Sequence, residues 1–147
     1  MKLMPIFESM IRRIQEGDYD YRGSHTAPGK DEGVPLHDLT ARENEIYPDD
    51  VYSSNGIRYY GTGESTDRLN FQIINKYRRK PNADIVVYRA VPGNVDKINP
   101  GDWVTITSQY AKDHAEGEEG WKIIKMKVKA KDIYTNGDSM DEWGYDP

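Results

Sequence analysis

Ile85-Val86-Val87-Tyr88-Arg89-Ala90-Val91, closed by Pro92-Gly93, is the stretch from which the fold class follows. An almost unbroken run of β-branched and apolar residues ending at a turn signal predicts a strand covered on both faces. Downstream, Pro100-Gly101-Asp102 forms a second turn and launches Trp103-Val104-Thr105-Ile106-Thr107, again strand-like in composition. Ser108 is placed to cap a short helix over Gln109 to Glu116, ending near Gly117. Ile124, Met126 and Val128 alternate with Lys125, Lys127 and Lys129, so one face of that strand packs and the other stays wet. Asp132-Ile133-Tyr134 predicts another short strand, Asn136-Gly137 a turn, and Met140 to Tyr145 a closing strand anchored by its aromatics.

Upstream the pattern loosens. A helix is signalled from Thr66 to Tyr77, with Ser65, Thr66 or Asp67 as cap and Leu69, Ile73 and Tyr77 recurring on one face. Residues 19–63 are crowded with Gly, Pro, Asp, Asn and Ser, which predicts long loops and a binding surface. Residues 1–16 read as a short amphipathic helix. The expected whole is a single α+β domain over 1–147, with its strand-rich core in 85–147. Three Trp, eleven Tyr and two Phe supply apolar surface for that core.

The absence of cysteine excludes disulfides, thiolate metal sites and a cysteine nucleophile, and suits a reducing cytoplasm. No apolar run approaches the roughly 20 residues that a membrane helix needs, so no membrane partner is expected. A net charge of -5 argues against a large phosphate-gripping surface, and hence against nucleic acid as partner. The basic clusters at 76–80 and 125–131 read as a helix C-terminus and the wet face of a strand.

Chemistry concentrates in the second half. Arg89 is a permanent cation in an apolar strand, matched to a pyrophosphate or to a structural ion-pair partner. Thr105 and Thr107, two residues apart on a predicted strand, would point to one face, although Thr is also a good strand former. Glu142 is either a solvated edge charge or a catalytic carboxylate. Tyr59, Tyr60 and Tyr110 are candidates to stack on a nucleotide, or to pack in the core. His25, His37 and His114 show no paired metal spacing, so no metal is expected, while His25 remains a nucleotide-contact candidate. Gly61-Thr62-Gly63 before a helix suggests a phosphate cradle, but lacks the third Gly of a dinucleotide fingerprint and the Lys of a P-loop.

Taken in order, a strand with Arg89, a Gly101-Asp102-Trp103-Val104-Thr105-Ile106-Thr107 stretch, a short helix with Ala111 and His114-Ala115, and a late Glu142 resemble the ADP-ribosyltransferases of the Arg, Ser-Thr-Ser, Glu class. Tyr21-Arg22-Gly23-Ser24-His25, Pro35-Leu36-His37-Asp38-Leu39-Thr40, Tyr47-Pro48-Asp49-Asp50-Val51-Tyr52 and Arg58-Tyr59-Tyr60-Gly61 are similar to the transferase-like domains of phage polyvalent proteins. The resemblance implies two packed antiparallel-rich sheets with a few helices. It also implies NAD as co-substrate and a catalytic set of Glu142, Arg89, Thr105 and Thr107. Arg89, Thr105, Thr107, Tyr110, Tyr59, Tyr60 and His25 would contact NAD, and the acceptor would be a host protein in the host cytoplasm. Arg22 imitates the first motif from a Gly-rich loop and ranks below Arg89. Family members that modify arginine carry a second acid two residues before the catalytic one; here Met140 stands there, which leaves other acceptors or water. The same fold would also suit an NAD glycohydrolase, or a non-catalytic inhibitor of a host protein.

Overall fold

The computed structural model describes residues 26–147. The expected 1–16 helix, Arg22 and His25 lie outside that range. Among the described residues the chain forms β1 (Val34–Pro35), a 3-10 turn (Asp49–Tyr52), α1 (Gly56–Tyr60), α2 (Asp67–Tyr77), β2 (Asp84–Pro92) and β3 (Trp103–Val104). There follow α3 (Ser108–Ala115), β4 (Trp121–Lys129), a second 3-10 turn (Ala130–Asp132), β5 (Ile133–Thr135) and β6 (Trp143–Tyr145). The protein is thus mixed α and β, with two antiparallel sheets ordered β1-β5-β6-β3 and β2-β4.

The strand signalled by Ile85 to Val91 is present, and it pairs with β4 over nine residues. Its first half is covered on one face alone: Ile85 and Val87 are buried while Asp84 and Val86 are exposed. The edge strand β4 carries Lys125, Lys127 and Lys129 outward, and these charges discourage pairing with another chain's edge. Among the described residues the backbones of the two sheets are joined by one isolated bridge, where Tyr88 and Thr105 exchange both hydrogen bonds at 2.9 Å.

Two further expectations change. On α2 the inward stripe is Asp67, Asn70, Phe71 and Ile74, not Leu69, Ile73 and Tyr77; Leu69 is exposed. Its spacing of i, i+3, i+4, i+7 is the ordinary one for a packed helix, but polar Asp67 and Asn70 disguise it. The described part of the loop-rich segment, 26–63, is not merely a surface. Val34, Leu36, Leu39, Tyr47 and Val51 enter the main core beside Ile74, Val87, Val104 and Trp143. Gly144 in β6 lies so close to the Pro28 carbonyl that a Cβ there would overlap it.

Candidate active site

Glu142 directly precedes β6 and is 3% exposed. β3 pairs with β6 through Trp103↔Gly144 and Val104↔Trp143. The same register carried one residue further sets Thr105 against Glu142, and opposed residues of an antiparallel pair project from one face. The Thr105 hydroxyl is buried and finds no hydrogen-bond partner among the described residues.

Helix α3 covers this face, and Thr107 determines how it starts. Expected on a strand, Thr107 instead has left the ladder: β3 ends at Val104, and the Thr107 side chain caps α3 by accepting from the Tyr110 amide at 3.3 Å. Thr107, not Ser108, is therefore the N-cap, a position at which threonine satisfies a helix's orphan amides. One turn on, Tyr110 points its phenol at the site and donates to Glu142 Oε2 at 3.1 Å. Burial first, and then the Glu142 charge, push the Tyr110 phenol far above its ordinary value, so it stays a donor. The His114 ring packs edge-on against Tyr110, with centroids 4.5 Å apart. Tyr110, a nucleotide-contact candidate in the sequence, is 4% exposed and holds the Glu142 carboxylate.

Arg89 occupies different ground. Tyr88 opposes Thr105 and so shares its face, whereas alternation sends Arg89 to the side of Ile85 and Val87. After the Tyr88–Thr105 bridge the next hydrogen-bonded pair would be Ala90 with Trp103, but the two strands splay. The Arg89 guanidinium enters the fork and donates through Nη1 to the Trp103 carbonyl at 2.9 Å. It thus satisfies a backbone acceptor that the ladder has abandoned. The structure brings Thr105, Glu142 and Tyr110 to one face, while Arg89 starts from the other.

No family model matches the chain, and no curated protein or solved structure matches it either.

The remaining candidates separate from this face. Tyr59 is 59% exposed on α1. Tyr60 packs edge-on against Tyr47 and donates to Asp50 Oδ1 at 2.6 Å. The Gly61-Thr62-Gly63 cradle already holds an anion, since the Asp67 carboxylate accepts from the Thr62 and Gly63 amides at 3.0 and 2.8 Å. Among the described residues no group of three His, Asp or Glu is arranged to hold a metal, and no helix is long and apolar enough to cross a membrane.

Two residues escaped the sequence reading. Asp141, assigned no role in the sequence reading, is wholly buried and accepts through Oδ1 from Thr66 Oγ1 at 2.7 Å and Asn70 Nδ2 at 2.6 Å. His114 backs the Tyr110 ring, a contact that the sequence reading did not foresee. The one signal for Asp141 in the sequence was an acid set between the apolar Met140 and Trp143; its partners, the N-cap Thr66 and Asn70 of α2, lie 75 and 71 residues away in the chain.

Proposed function

We propose that this chain is an NAD-cleaving ADP-ribosyltransferase-like enzyme in which Glu142 is the catalytic carboxylate. The observation that carries the reading is the buried, unpartnered Thr105 hydroxyl on the face of Glu142, a carboxylate already oriented by Tyr110. Buried polar groups are almost always bonded, so a hydroxyl of this kind suits a polar ligand.

In this reading Glu142 lies beside the nicotinamide ribose. As the bond from C1′ to nicotinamide breaks, its electron pair leaves with nicotinamide, and the carboxylate offsets the positive charge growing on the sugar. Thr105 bonds the ribose or the carboxamide, and Tyr110 fixes the rotamer of Glu142 so that little reorganisation remains. The acceptor oxygen or nitrogen then bonds to C1′ and passes its proton to Glu142. Arg89 supports the pocket from behind by closing the β2–β3 fork. Met140 is fully buried two residues before Glu142, where arginine-modifying relatives of this class have an acid; this favours another acceptor, on a host protein of a phage-infected cell, or water.

The test is incubation of the protein with NAD labelled in the adenylate moiety, in a lysate of the bacterial host. Label on a host macromolecule, or nicotinamide release without label transfer, is expected for wild type and absent for Glu142→Gln. Wild type indistinguishable from Glu142→Gln in both readouts contradicts the reading. The near-complete burial of both Glu142 and Thr105 favours a second reading, a non-catalytic scaffold that binds a host protein through its outer loops. Under it, Glu142→Gln retains the biological effect.

A further inference from the structure

Asp141 sits at 0% exposure where the Ser139–Glu142 turn meets the start of α2. Only one of its oxygens is accounted for: Oδ1 takes the bonds from Thr66 and Asn70, while Oδ2 is buried with no hydrogen-bond partner. Asn70 is the mirror of this. Its Nδ2 is used, and its Oδ1 is likewise buried and without a partner. A carboxylate and a carboxamide that share one bond and each leave an acceptor unmet are two acceptors lacking one proton. A neutral carboxylic acid supplies it, because acid and amide then form a ring of two parallel bonds: amide N–H to Oδ1, and acid O–H to the amide oxygen.

We infer that Asp141 carries its proton in the folded protein and pairs through both oxygens with the Asn70 carboxamide, bracing the turn that presents Glu142. The surroundings favour the neutral form. Asp67 from α2 and Glu64 from the loop before it bear on Asp141 with like charge, and Tyr110 of α3 and the adjacent Glu142 also lie near it. Burial is the largest influence and raises its proton affinity; the bonds from Asn70 and Thr66 act in the opposite direction and are outweighed. Asp141 is thus a positioning residue for Glu142. That last role rests on the NAD reading, whereas the proton does not.

Carbon-13 NMR of the full chain, with the Asp141 carboxyl carbon assigned through its own backbone, reads the proton directly and needs no variant. The expected result at pH 7 is a carboxyl shift typical of a protonated acid, and the overturning result is the shift of a carboxylate. Unfolding against pH gives an independent readout. A raised folded-state value means that the folded state holds more protons than the unfolded state above the ordinary 3.8, so wild type loses stability as pH rises from there towards the folded value. Asp141→Asn, which keeps the paired bonds without a titrating group, removes this slope and at pH 7 unfolds no earlier than wild type; Asp141→Ala unfolds earlier. An Asn variant as damaged as the Ala variant, or a wild-type margin over Asn that grows with pH, overturns the inference. Neither readout involves NAD, so a failure here is distinct from a failure of the proposed activity.

Discussion

The β2–β4 ribbon runs nine residue pairs without interruption, whereas no strand of the four-stranded sheet exceeds three residues, yet it is the second sheet that adjoins Glu142. The ribbon is held by a long ladder and by a simple alternation of apolar and lysine positions. The short-strand sheet is held by side chains: the Trp143 indole donating to the Met140 carbonyl at 2.7 Å, Asp141 gripped by α2, and Tyr110 reaching Glu142 from α3. A ladder spreads its stability over many equivalent bonds, and side-chain anchors concentrate it in a few. Substitutions should therefore be felt very unequally in the two regions.

The largest effect is expected at Trp143, fully buried in the anchored sheet. Trp143→Ala should cost about 3–5 kcal/mol of unfolding free energy in denaturant titration. Val86→Ala on the ribbon should stay within about 1 kcal/mol, since Val86 is 37% exposed. Equal losses at the two positions would erase the contrast. Gly144→Ala comes next. A methyl group there meets the Pro28 carbonyl, so the β6 backbone must shift, with a loss of about 1–3 kcal/mol and broadened amide signals around Glu142. Tyr110→Phe removes only the donor to Glu142 and should cost about 1–3 kcal/mol by the same titration, with a larger proportional loss of any NAD cleavage. At the foot of the scale is Lys129→Ala on the ribbon edge. Its exposed ion pair with Asp84 at 2.7 Å is screened by water, and the unfolding midpoint should not move in low or high salt.

The same contrast explains what the sequence revealed. The ribbon was legible because Ile124, Met126 and Val128 alternate with lysines, and because Ile85 to Val91 is a continuous apolar run. The short helix after Thr107 was legible within one residue, and the turn at Asn136-Gly137 falls where Gly137 adopts φ 96. The inward face of α2 was not, since its buried stripe includes Asp67, bonded by the Thr62-Gly63 loop just before the helix, and Asn70, whose partner Asp141 is supplied by tertiary contact. Thr107 looked like a strand hydroxyl because strand and cap favour the same residue, and only the early end of β3 tells them apart. Arg89 was correctly placed on a strand. The splay that draws its guanidinium into the fork depends on where one bridge ends, and no local pattern encodes that.

Proton NMR of NAD incubated with the purified chain tests the central claim most directly, because free nicotinamide gives resolved aromatic signals. Wild type is predicted to release nicotinamide, slowly without an acceptor and faster in host lysate, Thr105→Val to release it more slowly, and Glu142→Gln to leave NAD intact. Unchanged NAD with wild type under both conditions, or equal release by wild type and Glu142→Gln, would contradict the account.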